Sequence, residues 1–226
     1  MADSITLIQN LVRDKSSLKQ DVYDNTLKHF EVFKSHLRDT IETIEHGVGS
    51  TDKRLKFGYI EKSDFEVHVQ IAGDVLVFYM HTNVFQFDKG NSLWKSSYLK
   101  EDESRGFVGS IQVYNFLADS LRYQRPRDLG YLIARLFVNK DDHFLVQGKR
   151  QLGFLYNDFI NGVLTSDKTK EVVHSALLYT LDFDLFTPPY EQQQQVSVGE
   201  MLQLSQNLNV ATGKRLGFRF SQDQDA

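Results

Sequence analysis

The sequence predicts an α+β fold, in which an antiparallel sheet of about five strands is packed by a long N-terminal helix and by a helix that follows the sheet. Apolar residues recur at helical spacing from Asp3 to about Val48 and again from about Lys168 to Phe186. Between these two segments they alternate with polar residues, as they do in half-buried strands. The chain has 226 residues, of which 41% are hydrophobic, and both values suit a globular domain with a substantial core.

The first predicted unit is the helical segment over residues 1–50. Apolar side chains there follow three- and four-residue steps and define one face of a long helix: Leu27, Phe30, Phe33, Leu37, Ile41, Ile44 and Val48. A shorter helix, Ile5 to Val12, precedes this one, and the polar stretch Arg13 to Ser17 is expected to bend or break the connection. Gly47 and Gly49 are expected to end the long helix.

The predicted core domain, residues 51–187, begins with a β-hairpin. Four apolar residues of its first strand alternate with polar ones and are assigned to the core face: Phe65, Val67, Val69 and Ile71. Gly73-Asp74 is the predicted two-residue loop, because glycine accepts the positive φ that the first position of a type II′ turn requires.

The loop also predicts the register of this hairpin. If Ala72 faces Val75, then Glu66 faces His81 on the side away from the core. The run Val75 to Met80 is apolar at every position, so the second face is expected to be covered as well. The long N-terminal helix is the candidate cover.

The rest of the core domain contains one more predicted helix and a second hairpin. Val113 to Leu121 has helical spacing, with Ser110 as its cap. Tyr131 to Val138 and Phe144 to Tyr156 are rich in strand-forming residues, and the segment Asn139 to Asp142 between them supplies turn residues. Two hairpins give at least four antiparallel strands.

The helix that follows the sheet begins at Ser166 or Asp167 and stops at Pro188-Pro189. Residues 188–226 are predicted to form a polar linker, a C-terminal helix and a short strand-like tail. The segment Ser197 to Glu200 fits a capping box at the start of that helix.

This order of elements is similar to that of PAS-like and GAF-like sensor domains. The order runs helix, two strands, helix, two or three strands, helix. The resemblance is an analogy of topology alone, and it implies a fold rather than particular functional residues.

Composition narrows the range of functions. The chain has no cysteine, so disulfides, thiolate metal sites and a cysteine nucleophile are excluded, and a reducing cytoplasmic location is expected. Neither an export signal nor a membrane span is recognised in the sequence. A net charge of −4 argues against nucleic acid as the partner.

Candidate catalytic residues lie on the polar side of the first hairpin. Glu66, His68 and His81 are expected to cluster there, where a carboxylate beside an imidazole could orient it, raise its basicity or share a metal with it. An ordinary cross-strand polar pair explains the same residues.

Asp141, Asp142 and His143 have the side-chain types of metal ligands. Three adjacent residues of a tight turn do not converge on one ion, and the turn preference of aspartate accounts for both carboxylates. No metal site and no cofactor are therefore predicted.

A candidate anion site lies at the join between the predicted helix and the next strand. Arg122, Arg125 and Arg127 could bind phosphate or carboxylate through their guanidinium groups, with Tyr123 stacking on a ring. A solvated connector in which Asp128 pairs with an arginine is the structural alternative.

Two functional hypotheses follow. In the first, the protein is a non-enzymatic binding module, a sensor or adaptor that forms a homodimer through its long helix and engages a protein partner or small ligand through its sheet or tail. In the alternative, it is a small enzyme that acts on an anionic substrate, with Glu66 and His81 as acid/base groups and the three arginines holding the anion. The second hypothesis requires both groups to meet in one cleft.

Overall fold

The structure of the protein, a computed structural model, describes residues 3–49, 51–126, 128–184, 190–199 and 201. It confirms the predicted α+β class: a six-stranded antiparallel sheet is packed by a 46-residue N-terminal helix and by a helix after the sheet. The strands are β1 (Phe57–Ser63), β2 (Glu66–Ile71), β3 (Asp74–Gln86), β4 (Phe107–Leu117), β5 (Tyr131–Val138) and β6 (Phe144–Gly148). The helices are α1 (Ser4–Leu11), α2 (Ser17–Ile44), α3 (Ser97–Glu101), α4 (Ala118–Arg122), α5 (Gln151–Leu155), α6 (Ser166–Leu181) and α7 (Tyr190–Gln193).

The N-terminal helix is continuous. Asp3 caps its first turn by accepting a hydrogen bond from the backbone N–H of Ile5 at 3.4 Å. The polar stretch that was expected to bend or break the helix instead forms a π-helical turn, Val12–Ser16, which joins α1 to α2. A second π-helical turn, Glu45–Gly49, ends the helix at the predicted glycines. A π turn accommodates an extra residue without loss of helical continuity.

The sheet is a simple meander in which each strand pairs with its neighbours in the chain, in the order β1-β2-β3-β4-β5-β6. Both predicted hairpins are present, β2 with β3 and β5 with β6. β1 is an edge strand that the sequence pattern did not reveal. The predicted helix from Val113 to Leu121 is wrong over most of its length, because this segment belongs to β4 and only its last residues enter α4.

The register of the first hairpin differs from the predicted one by two residues. Ile71 pairs with Asp74, so that Ala72 and Gly73 form the loop and Ala72 takes the positive φ of 52°. Glu66 consequently faces Tyr79 and not His81. Because side chains alternate with a period of two, a two-residue shift leaves every side chain on its predicted face.

One face of the sheet carries the main core. α2 and α6 both pack on this face and share one apolar cluster with it. Helix α2 contributes Phe30, Phe33, Leu37 and Ile41, and α6 contributes Val172, Val173, Ala176 and Leu177. The strands supply Val67, Val69, Ile71, Leu76, Phe78, Met80, Ile111 and Val113.

The contact between α2 and β4 is unusually close. A Cβ atom built on Gly109 would overlap the hydroxyl of Thr26 and lie 2.7 Å from the Cβ of Thr26. Thr26 is fully buried, and its hydroxyl donates to the carbonyl of Val22 at 2.6 Å. The absence of a side chain at Gly109 therefore lets the helix lie against the strand.

Among the described residues, the opposite face is covered only at one end, and the cover there is not the N-terminal helix that had been expected. There a second apolar cluster gathers beneath the connection between β3 and β4 and the loop after α5. Its buried members are Phe87, Leu99, Val108, Phe137, Leu145 and Phe159. Trp94 and Tyr98 pack against this cluster from the connection.

The helix after the sheet begins one residue after its cap, Thr165, whose hydroxyl accepts a hydrogen bond from the N–H of Lys168 at 3.2 Å. The prolines predicted to stop it, Glu200 of the proposed capping box and the strand-like tail lie outside the described residues. None of the helices in the described ranges is both long enough and apolar enough to cross a membrane.

Candidate functional site

The part of the sheet that no described element covers is the candidate site, and we call it the open face. One row of side chains crosses it along paired positions on five strands: Glu66, Tyr79, Gln112, Arg135 and Gln147. A second row lies beside the first: Ile60, His68, Val77, Tyr114 and Leu132.

Hydrogen bonds along the strands connect these two rows. His68 Nε2 lies 2.5 Å from Glu66 Oε1, and the hydroxyl of Tyr114 donates to Gln112 Oε1 at 2.6 Å. Within the first row, Arg135 donates to the side chain of Gln147. Side chains held in this way present fixed donors and acceptors, because their rotamers are restrained before a partner arrives.

The open face is partly accessible and partly apolar. Ile60 and Leu132 are 54% and 41% exposed, while Tyr79, Tyr114 and Arg135 are half-buried. The two charged residues of the first row, Glu66 on β2 and Arg135 on β5, are separated by three strand spacings, or roughly 14 Å.

The three predicted catalytic candidates are only partly brought together. Glu66 and His68 form a pair, as their positions two apart on one strand require. His81 lies two residues beyond Tyr79, the partner of Glu66, and its Nδ1 accepts a hydrogen bond from the N–H of Asn83 at 3.0 Å. The predicted pairing of Glu66 with His81 is therefore incorrect.

Ser110 pairs with His81 across the strands but does not act with it in the structure. Its hydroxyl is buried and makes no hydrogen bond to a described residue. The ring of His81 instead packs edge-on against Phe85, with ring centres 4.8 Å apart. Ser110 and His81 thus do not form a hydrogen-bonded nucleophile–base pair.

The predicted anion site has a different character from the one expected. Arg125 turns inward, with 12% of its side chain exposed, and lies 3.8 Å from the buried carboxylate of Asp128. Asp128 also accepts a hydrogen bond from Ser120 at 2.6 Å. Arg122 is exposed, and Arg127 lies outside the described residues.

The two arginines of the cluster that the structure describes, Arg122 and Arg125, do not share a cleft with His81. His81 pairs with Ser110 near the start of β4, whereas Arg122 follows the end of that strand at Leu117. Seven strand residues separate Ser110 from Leu117, which corresponds to roughly 24 Å. The geometry that the enzyme hypothesis required is absent from the described residues.

The turn between β5 and β6 has a structural role in the described residues. Asn139 accepts hydrogen bonds from the backbone N–H groups of Asp141 and His143 at 2.9 and 3.0 Å. Asp142 takes a positive φ of 62° and binds the buried His29 of α2 at 2.6 Å. Arg105 donates to Asp141 at 3.1 Å.

Two carboxyl groups in and near this turn, those of Asp142 and Asp102, have lowered pKa values. Burial raises the pKa of Asp142, but hydrogen bonds from His29 and Asn25, with the charges of His29 and Lys28, bring it below its usual value. Hydrogen bonds from Lys140 and Ser104 lower the pKa of Asp102, on the covering connection, to about 2. In the part of the chain that is described, no three histidine or acidic side chains gather into a possible metal site.

A narrow cleft lies at the other end of the sheet from the second cluster. It is lined by Asn115, Tyr131, Lys149 and Tyr179, among others. The side-chain oxygen of Asn115 is buried there without a hydrogen bond to a described residue. One unpaired amide oxygen beside an exposed lysine does not define a chemical activity.

Sequence reasoning missed most of the open face. Gln112, Tyr114, Arg135 and Gln147 were not identified, because a helix was predicted over part of β4 and the two hairpins were not aligned with each other. The sequence signal in β4 is the alternation of apolar Ile111 and Val113 with Gln112 and Tyr114, and the structure buries the first two and half-buries the others.

The chain matches no protein-family model, and comparisons with curated proteins and with solved structures find no match either. The analogy of element order with PAS-like and GAF-like domains is thus not accompanied by a matching structure. The geometry of the open face and of the long helix is what bears on function.

Proposed function

We propose that this protein is a non-enzymatic binding module whose open face engages a protein partner. The observation that carries the proposal is the row Glu66, Tyr79, Gln112, Arg135 and Gln147, which lies on a sheet held rigid from behind by α2 and α6. Tyrosine and arginine are the residue types that most often contribute binding energy at protein interfaces. The lack of cysteine suits a reducing compartment such as the cytoplasm.

Binding is favoured over catalysis by the arrangement of the polar groups. Glu66 and His68 satisfy each other, and the positions that flank His68 in its row are Ile60 and Val77. Acid/base catalysis requires a proton donor or acceptor within reach of a reacting group and usually a pocket that excludes water. An open sheet surface with paired polar groups meets neither requirement.

The charges and apolar side chains of the open face indicate what a complementary partner surface would carry. A complementary protein surface would place a basic group opposite Glu66 and an acidic group opposite Arg135, roughly 14 Å apart. Between them it would present apolar or aromatic area to Tyr79 and Tyr114.

Site-specific photo-crosslinking tests the proposal. A photoreactive phenylalanine analogue replaces Tyr114 in the full chain, and the crosslinked protein is identified by mass spectrometry in cells that express the gene. The same analogue at Leu178, which is 63% exposed on α6, is the positional control. We expect one protein to crosslink from Tyr114 and not from Leu178.

Two charge-reversal variants then decide whether the crosslink reports binding. Arg135→Glu should reduce the crosslinked product at least roughly tenfold, the equivalent of about 1.4 kcal/mol. Lys168→Glu, an equal change of charge on exposed α6, should leave it unchanged. Equal products from Arg135→Glu and the unaltered chain would contradict the proposal, provided that circular dichroism shows both variants folded.

A further inference from the structure

The first part of the long helix, residues 3–17, forms an arm that is not packed into the core. Every residue of the arm is exposed except Asn10, which is half-buried, and α1 has no buried residue. At 1.5 Å per residue the arm is roughly 22 Å long. It continues α2 directly, so its helical conformation extends from a segment that the core holds in place.

One side of the arm is apolar. Its five large apolar side chains are between 54% and 63% exposed: Ile5, Leu7, Ile8, Leu11 and Val12. Residues three and four apart are neighbours on a helix surface, so these side chains form one continuous stripe. The other side is polar, and there Arg13 donates to Asn10 at 2.7 Å. A stripe of this kind is usually buried against another element.

The charges of the helix from residue 3 to residue 21 favour a second copy of the same chain as the occupant. Three acidic and three basic residues balance each other: Asp3, Asp14 and Asp21 against Arg13, Lys15 and Lys19. Their order is asymmetric: residues 3–12 carry only Asp3, a side-chain charge of −1, whereas residues 13–21 carry three basic and two acidic side chains, a charge of +1. An antiparallel pair brings Asp3 of each copy beside the basic part of the other, whereas a parallel pair brings like charges together.

We propose that the arm is a dimerisation surface on which two copies pair antiparallel through their apolar stripes. A twofold axis makes the two halves of such an interface identical, so every favourable contact occurs twice. Each copy contributes five apolar side chains, far fewer than the about 20–30 residues a side of a standard interface. The dimer should therefore dissociate on dilution to low micromolar concentration. This proposal is independent of the open face, which lies on the sheet.

Sedimentation velocity of the full chain over a wide concentration series tests the arm. The unaltered protein should shift from monomer to dimer as concentration rises. The double variant Ile8→Glu/Leu11→Glu should remain monomeric throughout, because it places charge in the stripe. Thr6→Glu/Gln9→Glu adds the same charge on the polar side and should dimerise like the unaltered protein. Since residues of the arm are exposed, none of these changes disturbs the core.

Charge exchange tests the antiparallel orientation. Asp3→Lys should weaken the dimer, and so should Lys15→Glu/Lys19→Glu. The three changes combined should restore the affinity, since each copy again opposes unlike charges. A monomer at every concentration overturns the proposal, and so does a dimer that survives Ile8→Glu/Leu11→Glu. If the dimer of the triple variant is as weak as that of Asp3→Lys or of Lys15→Glu/Lys19→Glu, the antiparallel arrangement is overturned.

Discussion

The two faces of the sheet are made by alternate residues of the same strands, yet the described elements fully bury only one of them. On β3, Phe78 is completely buried beneath α2, whereas its neighbour Tyr79 remains half-exposed. Both residues are aromatic and both lie near the middle of the sheet. The difference therefore arises from what packs on each face and not from the composition of the strand.

The run Val75 to Met80 makes the same point. Because every residue in it is apolar, its composition suggested a strand covered on both faces. In the described part of the chain, the second face is covered only at one end, by the connection that carries Trp94 and Tyr98. Val77 and Tyr79, on the uncovered part of this face, are consequently only half-buried.

The largest expected effect is the difference in stability between substitutions on the buried face and on the open face. Phe78→Ala should destabilise the fold by about 3–5 kcal/mol, because it removes a buried ring and leaves a cavity. Tyr79→Ala should cost about 1 kcal/mol or less, the scale of a cross-strand contact on an exposed face. Urea denaturation of both variants gives the two values. Equal losses would show that the open face is covered in solution.

A second comparison uses two glycines in strands. Gly109→Ala should destabilise by about 1–3 kcal/mol, because the new methyl group meets Thr26 of α2. Gly58→Ala, whose methyl group would meet only ordinary contact with Gln70, should stay within about 0.5 kcal/mol of the unaltered protein. The combined variant Gly109→Ala/Thr26→Ala should lose less than the sum of its two single changes, because the hydroxyl and methyl group of Thr26 are gone. If the losses of stability of the two single variants simply add in the double variant, contact with Thr26 is not the cause of the loss in Gly109→Ala.

The link between α2 and the β5–β6 turn is expected to contribute a smaller amount. Asp142→Asn keeps the size of the side chain and tolerates the positive φ, so it removes mainly the charge that binds His29. Since a hydrogen bond to a charged group is worth about 1.5–3 kcal/mol when buried, and Asp142 is partly exposed, about 1 kcal/mol is expected. Thermal unfolding at neutral pH measures it. If Asp142→Asn is as stable as the unaltered protein, the contact between Asp142 and His29 does not stabilise the fold.

The smallest effect concerns the connection that covers one end of the open face. Asp102 there binds Lys140 at 2.7 Å, and its pKa of about 2 lies below the usual 3.8. The ionised form thus stabilises the fold above about pH 4, and that contribution disappears as the pH falls through about 2. Asp102→Asn should be slightly less stable at neutral pH and should show a flatter stability curve over this interval. Identical acid unfolding curves for both proteins would contradict the assignment.

Much of the fold could be predicted because hydrophobic period is a local property. The helical stripe of α2 and the alternation of β2 both pointed to the core face that the structure has. Where the period is ambiguous the prediction failed, as in β4, whose Val113 and Phe116 also fit helical spacing. β1 was missed as an edge strand, because its strand-forming residues Phe57, Tyr59 and Ile60 are followed by three polar residues and do not alternate regularly with polar ones.

The candidate site was less predictable, because it depends on which strands lie side by side. The pairing of Glu66 with His68 followed from one strand alone. To predict the row that joins Glu66 to Arg135, the registers of three strand pairs must all be correct. The predicted register of the first hairpin was wrong by two residues, and it therefore placed His81 opposite Glu66 where the structure has Tyr79. The loop was predicted at the wrong two residues, because Ala72 and not Gly73 takes the positive φ.

The core shared by α2 and α6 also bears on how the chain is made. Phe33 and Leu37 of α2 leave the ribosome early. The α6 residues that complete the same apolar cluster follow more than a hundred residues later, at Val172 and Val173. At about 5–20 residues per second, the interval between the end of α2 and Val172 is roughly 6–26 s. For that time the apolar stripe of the nascent helix is without its final cover, so chaperone occupancy should be greatest before α6 emerges.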